Sequence, residues 1–328
     1  MHKLSSFPAI VLLVSLVSLS ILLSMGFGTA ELGYQAVWQC LTDECQRSIY
    51  QTILIDIRLP RVLMGFLAGF ALASAGALMQ NVTRNPLADP YLFGIVAGAG
   101  LGATIASFLP EHLQAIGLPL AAFLGALFAV AIVIMVLMHS NWRRVEHLLL
   151  AGVAVSFLLS ALTNFILYFG DAFETNRVIF WLMGSLARAD YQALALTFPV
   201  VLLCSFIALL YARQLDALLL SDESAKTLGV NVNKIRLIAL IICAALTAVI
   251  VSYCGGISFV GLMIPHIVRP FFGLTNAKLF VVSGFVGGCF LIWVDVVSRT
   301  ILPGQEIPLG VITSVIGSVF FLFLMRRI

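Results

Sequence analysis

The sequence predicts an all-α polytopic transmembrane protein that forms one membrane domain over residues 1–328. Of these residues, 61% are hydrophobic and only 10% are charged, and the mean hydropathy is +1.09. A soluble domain has about a quarter of its residues charged. The apolar residues fall into ten runs, most of them close to the roughly 20 residues that a helix needs to cross a bilayer. No polar stretch is long enough to form a second domain.

Charged residues, prolines and glycines delimit the ten predicted spans. We expect the first span to be retained, because no small-residue cleavage site of a signal peptide follows it. The eighth is short and contains Pro265, His266 and Arg269, which predicts a broken or tilted helix. Rows of small residues at four-residue spacing, starting at Gly65 and Gly94, predict close helix packing. The spans are about 7–27, 62–80, 91–109, 117–138, 148–169, 193–212, 235–254, 257–272, 279–302 and 307–325.

The distribution of basic residues predicts the orientation of the chain in a bacterial inner (cytoplasmic) membrane. Twelve of the 18 Lys and Arg residues fall on the same side as the N-terminus, and this side is expected to be the cytoplasm. An even number of spans returns the C-terminus to the same side. The polar loop with Cys40 and Cys45 then lies outside, where the two thiols either form a disulfide or stay free.

The sequence shows no pattern of an enzyme. It contains no phosphate-binding P-loop, no zinc-protease motif and no clustered metal ligands, and its net charge of +3 gives no basic surface for nucleic acid. We therefore expect no catalytic residue, metal or cofactor in this chain, with membrane lipid as its surroundings. The middles of nearly all spans lack charged residues, which disfavours an ion-coupled carrier. A passive channel and a transporter powered by a partner remain.

The predicted cytoplasmic loop of residues 213–234 contains a short amphipathic helix. A serine in the N-cap position precedes two acidic residues, which favour the positive end of a helix, and a glycine ends the helix. Two apolar residues complete the pattern, which suits contact with another protein; a surface helix without a partner is the alternative. The residues concerned are Ser221, Asp222, Glu223, Ala225, Leu228 and Gly229.

Six short motifs follow one another along the chain. They are RLPR at 58–61, GALMQNVTRNPLADP at 76–90, LLAGV at 149–153, WLMGSL at 181–186, GGISFVGLMIPHIVR at 255–269 and EIPLG at 306–310. In this order they resemble the iron-siderophore, haem and cobalamin permease family of ABC importers along essentially the whole chain. One departure is Asn276-Ala277-Lys278, where the family commonly has Asp-His-Arg near a cytoplasmic turn.

The resemblance implies a type II ABC importer permease with ten spans per subunit. It implies a homodimer with a translocation path along the two-fold axis, a pair of cytoplasmic ATPase subunits that bind ATP and Mg²⁺, and a periplasmic substrate-binding protein. The implied cargo is an iron chelate, either a ferric siderophore or haem. Cobalamin is the alternative cargo, and an ion-coupled secondary transporter is the alternative of another class.

The resemblance also assigns roles to individual residues. Arg58, Arg61 and Arg299 are expected to dock acidic residues of the binding protein, since a guanidinium suits a carboxylate. The helix in the loop 213–234 is expected to rest on the ATPase. Pro265 and His266 are expected to break the helix or form hydrogen bonds rather than bind metal. The expected cytoplasmic gate consists of Asn85, Leu87, Val145 and Glu146.

Overall fold

The computed structural model describes residues 6–28, 34–42, 48–139, 145–272 and 275–325, and these residues form helices and connecting turns without any β-strand. The all-α prediction is therefore confirmed for this part of the chain. The α-helices are α1 (Ser6–Gly26), α2 (Tyr34–Leu41), α3 (Ser48–Gln51), α4 (Leu59–Thr83), α5 (Ile95–Ser107), α6 (Glu111–His139), α7 (Val145–Phe169), α8 (Ala172–Leu182), α9 (Tyr191–Leu210), α10 (Ala212–Ala217), α11 (Asp222–Thr227), α12 (Val232–Cys254), α13 (Val260–Phe272), α14 (Asn276–Thr300) and α15 (Leu309–Met325). A π-helical segment, Thr52–Arg58, leads into α4, and a 3₁₀ turn, Pro90–Phe93, precedes α5.

Ten of these helices coincide with the ten predicted spans. In the described residues, α4, α6, α7, α9, α12 and α14 are long and apolar enough to cross a membrane, while α1, α5, α13 and α15 contribute shorter apolar stretches. With 13 residues each, α5 and α13 cover only about 20 Å of a hydrocarbon core of about 30 Å. A 3₁₀ turn capped by Gly94 precedes α5, and irregular backbone at 255–259 precedes α13. Such backbone is tolerated at membrane depth where protein surrounds it.

The centre of the bundle is α4, and nearly all of its residues are buried. It packs against α14, α12 and α13. Most of the surface of α6, α7 and α9, in contrast, faces outward from the chain. The exposed residues on these outer helices are mainly apolar, which fits surroundings of lipid or of a second protein subunit rather than water.

Glycines allow the central helices to approach one another closely. A Cβ atom on Gly69 would overlap the carbonyl oxygen of Gly287 in α14, and one on Gly98 would overlap that of Gly125 in α6. A Cβ on Gly76 would overlap the carbonyl oxygen of Gly261 in α13. The predicted rows of small residues are thus confirmed as packing contacts.

Candidate functional site

Five charged side chains meet where α4 begins and α14 ends. We call them the arginine cluster; they are Arg58, Arg61, Asp295, Arg299 and Glu306. Arg61 Nη2 lies 2.8 Å from Asp295 Oδ1, and Arg299 Nε lies 3.4 Å from Asp295 Oδ2. Arg61 also donates from Nη1 to Glu306 Oε1 at 2.6 Å and from Nη2 to Oε2 at 2.9 Å. Buried charges require this kind of pairing, because desolvation would otherwise be too costly.

The arginine cluster also attaches α1 to the bundle. Arg58 Nη1 donates to the carbonyl oxygen of Met25 at 2.7 Å, and Arg299 Nη2 donates to that of Ser24 at 3.0 Å. Both carbonyls belong to the last turn of α1, where such groups have no partner within the helix. The two guanidiniums therefore satisfy backbone groups of α1 in addition to their electrostatic role.

The structure brings the three predicted docking arginines together but does not expose them. The exposed fractions of Arg58, Arg61 and Arg299 are 5%, 7% and 4%. Within the cluster, Glu306 is the side chain with access to the surface, at 39% exposed. Docking of a binding protein on these arginines stays a prediction. In the arrangement seen here, a partner would meet Glu306 before it reached Arg61.

We call residues 213–234 the coupling loop. The helix predicted within this loop is present as α11. Ser221 Oγ accepts the backbone N–H of Ser224 at 3.0 Å. The helix ends at Thr227, and two residues later Gly229 turns the chain with a φ of +78°. The N–H of Val230 donates to the carbonyl of Ala225 at 3.0 Å. Both the serine N-cap and the left-handed glycine that terminates the helix are confirmed.

Asp222 anchors α11 to two neighbouring helices. Its Oδ1 lies 2.7 Å from Arg84 Nη2 and 3.3 Å from Arg236 Nη2. Arg84 follows the last residue of α4, and Arg236 lies in the first turns of α12. This site therefore lies at the opposite end of α4 from the arginine cluster, about 35 Å away at 1.5 Å per residue.

The two apolar residues of the predicted coupling helix occupy different environments. Ala225 is fully buried, and Leu228 is 64% exposed. Ala225 lies against the rest of the chain and therefore offers no surface to a partner in this arrangement. Leu228 follows the last helical residue, immediately before the turn at Gly229, and Glu223 is also exposed. Contact with an ATPase stays a prediction for these exposed residues.

The structure describes the side chains of two of the four predicted gate residues, Asn85 and Leu87. Asn85 Oδ1 accepts the backbone N–H of Leu87 at 2.9 Å, which closes the turn after α4, and Leu87 is 53% exposed. Val145 and Glu146 begin α7, but their side chains lie outside the described residues. The gate therefore stays a prediction.

Pro265 and His266 do not break their helix, so the helix-break alternative was wrong. The helix α13 runs through both residues, and the irregular backbone lies before it, at 255–259. Pro265 has no N–H to offer the carbonyl of Gly261. Gln80 of α4 donates from Nε2 to Gly261 O at 3.3 Å and to Leu262 O at 3.1 Å. A side chain from another helix thus replaces the missing helical hydrogen bond. The His266 ring packs edge-on against Phe320 at 5.9 Å.

Several functional candidates were missed by the sequence reasoning. The helix α8 was not predicted, although Asp171 is a clear N-cap and accepts the N–H groups of Phe173 and Glu174. Buried amides that link helices were also missed, among them Gln80, Asn81 and Asn276, which are at most 4% exposed. The available signal was a polar residue at the end of an apolar run.

The described cysteines offer no metal site. Cys204, Cys243, Cys254 and Cys289 are free and buried. Cys40 is disulfide-bonded, and its predicted partner, Cys45, lies outside the described residues. Among the described residues, no group of three His, Cys, Asp or Glu side chains converges on a point.

Comparisons with known proteins agree with this architecture. The sequence is 40% identical to the cobalamin import system permease protein BtuC of Halobacterium salinarum over 84% of this chain and 74% of the relative. It is 36% identical to the hemin transport system permease protein HmuU of Yersinia pestis, over 96% and 94% of the two chains. It is also 36% identical to the Fe(3+) dicitrate transport system permease protein FecD of Escherichia coli, over 93% and 94%.

A solved structure has the same fold over nearly the whole chain. It is a metal-chelate type ABC transporter in an inward-facing conformation, with a TM-score of 0.87, 30% sequence identity and coverage of 98% of this chain and 100% of the other. The FecCD transport family matches residues 16–327. Together with the bundle of ten apolar helices, this match shows that the chain is a membrane permease of the FecCD transport family.

Proposed function

We propose that this chain is the membrane-spanning permease subunit of an ABC importer that takes up an iron chelate. One observation carries the proposal. A short capped helix, α11, is fixed by Asp222 at the end of the bundle opposite the arginine cluster, yet keeps Leu228 64% exposed. An exposed large apolar side chain at the end of a polar-anchored helix suits a protein partner.

An external source of energy is favoured by the chemistry of the bundle. Coupling to protons or sodium ions usually relies on ionisable groups near the bilayer midplane. In the described residues, the buried charges concentrate at the two ends of α4, and Asp295 is neutralised by Arg61 and Arg299. We therefore propose that a pair of ATPase subunits docks on the coupling loops of a homodimer and supplies the energy. An ion-coupled carrier is the alternative that the experiment below tests.

The two ends of the bundle receive different partners in this proposal. The coupling loop faces the cytoplasm, and the arginine cluster faces the periplasm, where a substrate-binding protein docks. This orientation follows the excess of basic residues on the side of the coupling loop, with both termini inside. A green fluorescent protein fused to the C-terminus should fluoresce in intact cells, because it folds in the cytoplasm but not after export. A dark fusion with full-length expression would contradict the orientation.

The cargo is inferred from what the similar proteins share. Their names specify hemin, ferric dicitrate and cobalamin, which are all metal ions held within an organic ligand. Two of the three are iron compounds, and these two relatives are matched over more than nine-tenths of both chains. We therefore place an iron chelate first and cobalamin second.

The test is uptake into vesicles that contain the purified permease, its ATPase and its binding protein. Radiolabelled ferric siderophore, haem and cobalamin are offered separately, with ATP enclosed on the ATPase side. We expect uptake of an iron chelate that needs ATP and is unaffected by a protonophore. Accumulation against a gradient by vesicles that lack the ATPase would overturn the proposal. ATP-dependent uptake of cobalamin alone would keep the machinery and change the cargo.

A further inference from the structure

A series of buried and half-buried polar side chains begins at Asp216, in the coupling loop. Asp216 Oδ1 accepts the backbone N–H of Asn276 at 2.6 Å and its Nδ2 at 2.9 Å. Asn276 is the first residue of α14, and the preceding Thr275 provides no side-chain cap. The carboxylate of a distant segment therefore caps α14 in place of a local residue. Asp216 thus links the coupling loop directly to the start of α14.

The series continues from α14 through α4 to α13. Asn276 Oδ1 accepts Asn81 Nδ2 at 3.0 Å, and Asn81 Oδ1 accepts Arg269 Nη2 at 3.2 Å. The same Nη2 donates to Gln80 Oε1 at 3.1 Å. Gln80 in turn donates to the carbonyls of Gly261 and Leu262 in the first turn of α13. Four segments that are distant in sequence are thus joined by direct hydrogen bonds.

The polarity of these hydrogen bonds is fixed at both ends. A carboxylate such as Asp216 only accepts, so the amide group of Asn276 must face it with its NH₂. The oxygen of Asn276 then faces the NH₂ of Asn81, and the oxygen of Asn81 faces Arg269, which only donates. Neither amide can flip without losing hydrogen bonds on both sides. Asn276 and Asn81 are 4% and 1% exposed, so water competes little for their groups.

The helix at the end of this series, α13, is the one most easily deformed. Its Pro265 and Pro270 remove two backbone donors, and the segment before it is irregular, with positive φ at Gly255 and Phe259. Prolines and irregular turns are the usual places where helices bend. A displacement that reaches Gln80 and Arg269 therefore has a compliant helix to act on.

We propose that these five polar side chains form a relay that transmits displacement of the coupling loop to α13. The members of the polar relay are Asp216, Asn276, Asn81, Arg269 and Gln80. The inference rests on the proposed function, because it assumes that an ATPase moves the coupling loop. It also gives Asn276 a role as a positioning residue between two helices and the loop.

The test uses the permease–ATPase complex in lipid nanodiscs, with and without trapping by ATP and vanadate. Hydrogen–deuterium exchange is followed in α11 and in residues 255–262, at the start of α13. In the wild type, we expect trapping to change exchange in both segments. In Asn276→Asp, the new carboxylate faces that of Asp216 and the hydrogen bond between them is lost. Trapping should then still change hydrogen–deuterium exchange in α11 but no longer at 255–262.

A double exchange provides the matched control. Asp216→Asn combined with Asn276→Asp restores a donor opposite each acceptor, because the amide introduced at position 216 can donate to a carboxylate at position 276 and still accept the backbone N–H. We expect it to recover the response at 255–262 in nanodiscs and, in sealed vesicles with the binding protein, the uptake per ATP hydrolysed. The single variant should lose about tenfold in this ratio, since a hydrogen bond to a charged group is worth at least that factor.

Each other outcome is decisive. A single variant that keeps the response at 255–262, or a folded double variant that fails to recover it, would overturn the relay. Gln80→Met interrupts the same series at its other end, next to α13. If neither this variant nor Asn276→Asp folds while the double variant does, the hydrogen bonds serve folding and the relay is refuted. Failure of the ATPase to bind the wild type, or to alter exchange in α11, would instead overturn the proposed function.

Discussion

The carboxylate of Asp295 is held by the guanidinium of Arg61, whose Nη2 lies 2.8 Å from Oδ1 across 234 positions of sequence. Arg299 contacts the other oxygen from the following turn of the same helix. The Asp295 side chain is 1% exposed, so its charge is neutralised inside the protein rather than by solvent. This pair joins the start of α4 to the end of α14.

Replacing Asp295 with asparagine should therefore destabilise the protein strongly. Two buried guanidiniums would lose their shared counter-charge, and breaking a buried ion pair typically costs about 3–5 kcal/mol. Glu306→Gln is the matched control, because this half-exposed carboxylate contributes about 1 kcal/mol or less. Unfolding by sodium dodecyl sulfate in mixed micelles measures both. Equal losses for the two variants would contradict the assigned difference in burial.

The control variant has a second use at the surface. Glu306 makes two hydrogen bonds to Arg61, and a carboxylate of a binding protein could reach Arg61 only after Glu306 releases it. Glu306→Gln weakens the interaction between position 306 and Arg61. The affinity for the binding protein should therefore increase by up to about tenfold, or 1.4 kcal/mol. Surface plasmon resonance with the permease in nanodiscs measures the affinity. Glu174→Gln, which removes a carboxylate from α8, is the control; weaker docking of Glu306→Gln would show that Glu306 itself binds the partner.

Hydropathy and local sequence patterns predicted much of this fold. They could not predict which side chains pair across long distances in the sequence. Ten spans could be placed because the bilayer selects apolar runs of a given length, and the caps of α11 because Ser221 and Gly229 act within a few residues of themselves. The burial of Arg61 could not be predicted, since its partners follow more than 230 positions later. The intact helix at Pro265 depends in the same way on Gln80, a residue of another helix.

Gly76 should tolerate no side chain. A Cβ at this position would overlap the backbone carbonyl of Gly261, so α4 and α13 would have to separate. We expect Gly76→Ala to cost several kcal/mol, because overpacking and the loss of dense packing add together. Gly100→Ala is the control, since its Cβ would meet only the tip of the Leu182 side chain at 3.0 Å, which can rotate away. Comparable yields and unfolding midpoints for both variants would contradict the close packing at Gly76.

Substitutions at Leu228 and Ala225 should have different effects, the first on ATPase binding and the second on folding. Leu228→Asp changes an exposed side chain, so the permease should fold normally and lose its ATPase partner. Ala225→Asp places a charge at a fully buried position and should unfold α11 or the whole chain, because an isolated charge is costly to bury. Co-purification of the ATPase, together with the unfolding midpoint, distinguishes the two effects. Normal ATPase binding by Leu228→Asp would remove Leu228 from the interface.

Asp89, in the turn between α4 and α5, should make stability depend on pH. Burial raises the pKa of this carboxyl from 3.8 to about 6, against the opposing effect of its hydrogen bond from the Tyr91 N–H. Between these two values, the folded protein binds the proton and the unfolded chain does not. The free energy of unfolding should therefore fall as pH rises from about 4 to about 6, and the contribution should level off above that range.

Asparagine at position 89 should remove this dependence and keep the turn, because its oxygen can still accept the Tyr91 N–H. At pH 7 to 8, we expect Asp89→Asn to be more stable than the wild type by about 1–3 kcal/mol, since one pKa unit corresponds to about 1.4 kcal/mol and Asp89 retains partial exposure. Near pH 3 the two proteins should be almost equally stable, because Asp89 is then largely uncharged in both the folded and the unfolded states. Detergent unfolding curves at several pH values measure the difference. A constant difference across this range would show that the carboxyl titrates alike in the folded and unfolded states.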